Sequence, residues 1–226
     1  MSIKKGYKIA ILGAFLTLLG DFLLGANPCA NTTTGVLMLD MFMDAVNNSE
    51  IRMVLGGMLG AIGIPLEGIG YYQIYKLLKS QKGIWPTIYK WAVIAYTGLA
   101  GCGVHLACAV LPMLYKWIAS TDPILAVDVT QKYANYFMMP PMIIFGVLLF
   151  IALFYQAIIF GLEKTIYPRH AALYNMVVGV IVTYIVAMFF DGTIVGNAIG
   201  TGTISFGNLW MFIMLLVKYP KEELCH

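Results

Sequence analysis

The chain has 226 residues, of which 60% are hydrophobic and 11% charged, with a net charge of +3 and a mean hydropathy of +0.81. This balance lies far outside the range of water-soluble domains and describes an integral membrane protein. The apolar runs reach about 20 residues each without strand-like alternation, which points to an all-α bundle and away from a β-barrel.

Six transmembrane helices are predicted, at roughly 7–26, 51–76, 91–114, 136–160, 171–190 and 194–217, so that residues 1–226 form a single transmembrane domain. The first span follows Lys4 and Lys5 and has an apolar part too long for a signal peptide, with "GANPCA" a poor cleavage site, so it is read as retained. Ala10, Ala14, Thr17, Asp21 and Gly25 share one of its faces at helical spacing. The loop after it holds Cys29 and two matches to the glycosylation acceptor pattern, at Asn31 and Asn47.

In the second span Gly56, Gly60, Gly63, Glu67 and Gly70 step by three and four, which sets Glu67 on a stripe of glycines. Such stripes let membrane helices approach backbone to backbone, so Glu67 is expected to face the bundle. The third span repeats the spacing with Gly98, Gly101, His105, Cys108 and Pro112, and His105 is the one histidine inside a span. The fourth has no ionisable group, carries Pro140 and Pro141 near its outer end, and is expected to be peripheral. The fifth places Gly179, Thr183, Ala187 and Asp191 on one side, and the sixth Asn197, Thr201, Ser205 and Asn208. The glycine-rich start of the sixth, "DGTIVGNAIGTGTISFG", reads as a loose or broken helix.

The connections divide by charge. Lys4, Lys5, Lys8, Lys76, Lys79, Lys82, Lys90, Lys164, Arg169, Lys218 and Lys221 fall on the side of the N-terminus, and Arg52, Lys116 and Lys132 on the other, with Asp40, Asp44, Glu50, Asp122 and Asp128. Positive loops stay in the cytoplasm, so both termini are expected there, N-in and C-in, and the net charge signals orientation with no nucleic-acid partner. Tyr71, Tyr72, Tyr75, Trp85, Tyr89 and Trp91 flank the same boundary and read as an interfacial belt. Cys29, Cys102, Cys108 and Cys225 have no CxxC spacing and sit in different settings, so neither a zinc site nor a disulfide framework is indicated, and a Cys29–Cys108 disulfide near the outer face is a remote alternative.

At about 1.5 Å rise per residue, Asp21, His105 and Asp191 come within roughly 10 Å of the outer boundary, and Glu67 and Asn208 near 20 Å. If the stripes converge, the two layers line a funnel that opens outward and ends at Glu67. Each residue has a packing alternative: a hydrogen-bonded neutral carboxyl at Glu67, a core histidine at His105, helix-end roles at Asp21 and Asp191, and interhelical hydrogen bonding at Asn197 and Asn208. The face of Gly56, Gly60 and Gly63 could equally pack against a second protomer to form a homodimer.

"LLGDFLLGANP", "IRMVLGGMLGAIGIPLEGIGYYQIY" and "GCGVHLACAVLP" resemble the successive first, second and third spans of a family of uncharacterised six-span bacterial membrane proteins. The resemblance runs along most of the chain. It implies a multi-pass protein of the bacterial inner (plasma) membrane and carries over no catalytic or binding residue.

Intramembrane hydrolase patterns are missing: there is no GxSG, no HExxH, and too few histidines for a multi-histidine zinc site, since His170 and His226 fall on the N-terminal side. The leading expectation is a polar pocket of Glu67, His105, Asp21, Asp191, Asn197 and Asn208 that binds, or binds and transports, a small solute or amphiphile in the lipid bilayer. A second is a membrane-embedded enzyme in which His105, Asp21 and Asp191 hold a metal or form an acid–base set acting on a lipid or lipid-linked substrate. A third is a structural or sensing protein without a ligand. No cofactor or metal is identified by the sequence.

Overall fold

A computed structural model describes residues 1–28 and 46–220. Cys29, Asn31, Asp40, Asp44, Lys221, Cys225 and His226 therefore lie outside the described residues. The described chain is all-α: α1 (Ile3–Gly25), α2 (Glu50–Leu78), α3 (Trp85–Ala119), α4 (Pro123–Gly161), α5 (Met176–Met188), α6 (Ile194–Thr201) and α7 (Thr203–Val217).

Short polar side chains start several of these helices by taking up free backbone N–H groups. Ser49 accepts from Arg52 N–H at 3.3 Å, Asp122 from Ile124 and Leu125 N–H at 3.0 Å each, and Asn175 from Val177 N–H at 3.0 Å. The C-terminal end of α1 is closed by Arg52, whose guanidinium donates to the Leu23 carbonyl at 2.7 Å and the Ala26 carbonyl at 2.8 Å. A cation there also meets the negative end of the helix dipole.

Antiparallel packing of α1 on α2 forms the spine of the bundle. A Cβ on Gly13 would stand 2.6 Å from the Gly63 carbonyl oxygen and 2.8 Å from the Glu67 nitrogen, closer than real side-chain carbons come. The glycine stripe of α2 is thus consumed within the chain: α1 covers Gly56 and Gly63, and a Cβ on Gly60 would land on the His105 imidazole. Of the two packings open to this glycine face, the one against the protein's own first and third helices is present here.

Helix α7 packs against α1 and α5, and α3 lies between α2 and α4. Tyr167, in the connection after α4, donates to the Leu215 carbonyl at 2.7 Å and ties that connection to α7. The N-terminus of α1, the C-termini of α2, α4 and α7 and the start of α3 share one end of the molecule, linked by contacts such as Gln81 to the Lys164 carbonyl and Lys4 over the Tyr219 ring. Most of the basic residues collect there.

Four helices, α1 to α4, are long and apolar enough to cross a membrane, and α6 with α7 makes a fifth candidate as a pair bent by 58°. The described helices thus give four to five candidate spans where six full ones are expected. The segment expected over 171–190 forms a helix of 13 residues, about 20 Å long against a hydrocarbon core of about 30 Å. Asn175 starts it late, and a 3-10 turn over Arg169–Leu173 precedes it. The fourth span is also longer than expected, since α4 runs for 39 residues. A π-helical stretch at Ala134–Met138 carries the chain into Pro140 and Pro141, whose missing N–H groups fall in the first turn after that stretch.

The expected aromatic belt divides. Tyr72, Trp85 and Trp91 are about half exposed, whereas Tyr71 and Tyr89 are buried in the core.

Candidate functional site: a buried carboxyl network

The interior polar groups form two layers one turn apart along α1. In the deeper layer Glu67 is fully buried and accepts three hydrogen bonds. Thr17 Oγ1 donates to Oε1 at 2.7 Å, and Tyr96 Oη and Asn208 Nδ2 donate to Oε2 at 2.5 Å each. Asn208 Nδ2 also donates to Tyr96 Oη at 2.8 Å, while its Oδ1 accepts from Tyr71 Oη at 2.5 Å. All these donors are neutral, and among the described residues no cation pairs with Glu67.

The proton count of this layer is unusual. Thr17 Oγ1 lies 2.7 Å from Glu67 Oε1 and 3.0 Å from the Gly13 carbonyl oxygen, but a hydroxyl carries a single hydrogen. When Glu67 is ionised, Thr17 donates to it and leaves the helix carbonyl. When Glu67 is protonated, its O–H donates to Thr17, and the threonine hydrogen turns back to Gly13. Every member is satisfied in both states, so the layer accepts or releases one proton without leaving an orphaned group.

In the shallower layer Ser205 Oγ donates to Asp21 Oδ2 at 2.6 Å, and His105 Nδ1 lies 3.6 Å from Asp21 Oδ1. His105 Nε2 lies 3.1 Å from the Gly56 carbonyl oxygen. A carbonyl only accepts, so Nε2 carries a hydrogen, and a neutral imidazole would then present its Nδ1 lone pair to Asp21. The contact is attractive only when one proton resides on Nδ1 or on the carboxyl group.

Helix α3 delivers both Tyr96 and His105 to this core although they are nine residues apart. In an α-helix nine residues make two and a half turns of about 3.6 residues and would point the two side chains to opposite faces. Residues Tyr96–His105 form a π-helix instead, and the wider i→i+5 turn brings them to the same side in about two turns. The same widening moves Gly98 off the stripe predicted for it, leaving it exposed, so that a Cβ added there would meet no heavy atom within 4 Å.

Of the residues singled out from the sequence, Glu67 and Asn208 meet directly, and Asp21 meets His105. Asp191 does not join them: it is exposed in the turn between α5 and α6. Asn197 sits at the rim, where its Nδ2 donates to the Asn27 carbonyl at 2.8 Å. Without Asp191, the set envisaged for a metal reduces to Asp21 and His105, and among the described residues no group of three or more His, Cys, Asp or Glu converges. Ser205 is no activated nucleophile, because the carboxyl group stands between hydroxyl and imidazole, whereas a catalytic triad needs the imidazole between them. The funnel expected to open outward from Glu67 is closed in this structure, with Asp21 and His105 each 8% exposed above it.

Tyr96 and Tyr71 are the members that sequence reasoning misses. Tyr71 reads as part of the aromatic belt, and Tyr96 lies off the α-helical stripe of His105. The run of small residues in "YTGLAGCGVH" is the available signal of an irregular turn.

No curated protein and no solved structure matches the chain. A family model covers residues 1–222, and the chain accordingly belongs to the family of unknown function DUF6796.

Proposed function

We propose that the protein is a multi-pass membrane protein that binds a proton at Glu67 and exchanges it for a small solute in a pocket opened by movement of the bent α6–α7 pair. The observation that carries this reading is the Thr17 hydroxyl poised between Glu67 and the Gly13 carbonyl, which lets the buried carboxyl group change protonation without a cation. The 58° bend at Gly202 lies three residues from Ser205, so a change in α6–α7 would reach Asp21 first and Asn208 next. Broken helices carrying polar groups at membrane depth are the usual parts of solute pathways.

In the bilayer, the reading places the lysine-rich end in the cytoplasm with both termini, following the retention of positive loops. Six crossings then require α5 to serve as a short one, covered by its neighbours. The resemblance to bacterial proteins favours the plasma membrane of a bacterium.

A second reading, a structural or sensing network without a ligand, is favoured by the complete hydrogen bonding of Glu67. An enzyme acting on a lipid would have to work with Asp21 and His105 alone.

The experiment that separates these readings uses proteoliposomes holding a pH-sensitive dye and an imposed pH gradient, screened with small inorganic ions, organic cations and amphiphiles. A solute that dissipates the gradient through wild-type protein and not through Glu67→Gln supports exchange. Infrared difference spectra of the same samples report the carbonyl stretch of a protonated carboxylic acid. If no such band disappears in Glu67→Gln at any pH at which the protein is folded, proton binding at Glu67 is wrong.

A further inference from the structure

A groove of about 900 Å³ runs along α4 at the lysine-rich end, and no residue of the carboxyl network lines it. Its long wall is apolar and faces outward, with Phe154 64% exposed beside Ile158 and, across the groove, Trp85 at 49%. Lys82 and Lys164 are the two cationic residues of its lining. Gln81, the neighbour of Lys82, donates its Nε2 hydrogen to the Lys164 backbone carbonyl at 3.0 Å and so joins the two segments that carry the lysines. Neither has an ion-pair partner among the described residues. Glu163, the neighbour of Lys164 in sequence, is not part of the lining.

One further atom points to an occupant. Tyr155 lines the groove, is 8% exposed and stacks on Trp85 with ring centroids 6.0 Å apart. Its hydroxyl is buried without a hydrogen-bond partner. Buried hydroxyl groups are nearly always paired, so an orphan beside a lined groove marks the place of a missing acceptor.

We propose that this groove holds one acidic phospholipid of the surrounding leaflet. Its acyl chain lies along Phe154 and Ile158, its phosphate sits between Lys82 and Lys164, and a phosphate or ester oxygen accepts the Tyr155 hydrogen bond. The chemistry requires an anion joined to a hydrocarbon tail: the lysines attract the first, and the exposed aromatic and aliphatic wall adsorbs the second. A zwitterionic lipid fills the wall equally well but brings a cation to the lysine pair. The site is independent of the proton site at Glu67.

The test is native mass spectrometry of the delipidated, full-length protein titrated with phosphatidylglycerol and with phosphatidylcholine of the same acyl chains. Wild type is expected to bind the first phosphatidylglycerol about tenfold more tightly than phosphatidylcholine, two charge-assisted contacts supplying the difference. Lys82→Gln with Lys164→Gln should reduce that preference to about twofold or less. Tyr155→Phe, which keeps the stacked ring, should weaken both lipids by about fivefold, the worth of one hydrogen bond. Lys4→Gln with Lys218→Gln removes the same charge elsewhere at that end and should keep the preference. Equal affinity for both lipids in wild type overturns the proposal, as does an equal loss in the two double variants, which would assign the effect to general surface charge.

Discussion

Replacing Glu67 by glutamine and by leucine tests the two-state hydrogen bonding of the network. A glutamine carbonyl in the place of Oε2 still accepts from Tyr96 and Asn208, and its amide in the place of Oε1 donates to Thr17, whose hydrogen then turns to the Gly13 carbonyl 3.0 Å away. Glutamine therefore imitates protonated Glu67 except for one further amide N–H that the network gives no acceptor, so its cost is expected at about 1 kcal/mol. Leucine fills similar space but removes the acceptor of both Tyr96 Oη and one Asn208 N–H. Two buried donors are orphaned at about 1–2 kcal/mol each, so the total is about 2–4 kcal/mol, tempered by the smaller worth of such bonds in membranes. Equilibrium unfolding of the purified protein in mixed micelles of mild detergent and sodium dodecyl sulfate reads both values. Equal destabilisation by the two variants would refute the reasoning, because it would mean that the site needs a charged carboxylate and has no satisfied protonated form.

Other variants probe the packing around the same network by the same unfolding measurement. Gly63→Ala drives a Cβ to 2.6 Å from the Gly13 carbonyl oxygen and should cost about 1–3 kcal/mol, whereas Gly98→Ala meets no heavy atom within 4 Å and should be neutral or stabilising by up to about 1 kcal/mol. Tyr96→Phe leaves Asn208 as the lone donor to Oε2 and should cost about 1 kcal/mol; no change would show that its 2.5 Å contact is not a net stabiliser. Arg52→Gln releases the Leu23 and Ala26 carbonyls at the end of α1 and should cost about 1–2 kcal/mol, with faster hydrogen exchange confined to the last turn. Glu163→Gly should stabilise by up to about 1 kcal/mol, since Glu163 closes α4 in the left-handed region at φ 57°.

The polar faces of α1, α2 and α7 could be read from the sequence, though not their meeting, because all three keep α-helical periodicity there. Thr17 and Asp21, Gly63 and Glu67, and Ser205 and Asn208 are each three or four residues apart, and the structure uses each pair on one face. Spacing failed in α3, where the π-helical turn brings in Tyr96 and expels Gly98. It failed again at Asp191, because hydropathy extends the fifth span to residue 190 while the helix ends at Met188 and leaves the carboxyl group in an exposed turn. Apolarity reports the length of an oily segment but not where its hydrogen bonding changes to a turn. Tyr71 and Tyr89 expose a similar blind spot: a tyrosine near a boundary has the same composition signature whether its hydroxyl meets headgroups or a buried amide.

The widened stretch of α3 also sets the angle between the two ends of that helix. Above and below it, α3 is an ordinary helix, with Tyr89 and Ala92 on the lysine-rich side and Ala107 and Leu111 on the other buried against different neighbours. The wide turns between them work as a coupling collar. Returning that collar to α-helical turns would rotate Tyr96 by about half a turn relative to His105, since nine α-helical residues make two and a half turns. Tyr96 and His105 sit at its two edges. Such a change would disengage one from its carboxyl group while the other stayed seated, so the two layers together hold the stretch in its wide form, as two bolts fix a collar at a set angle.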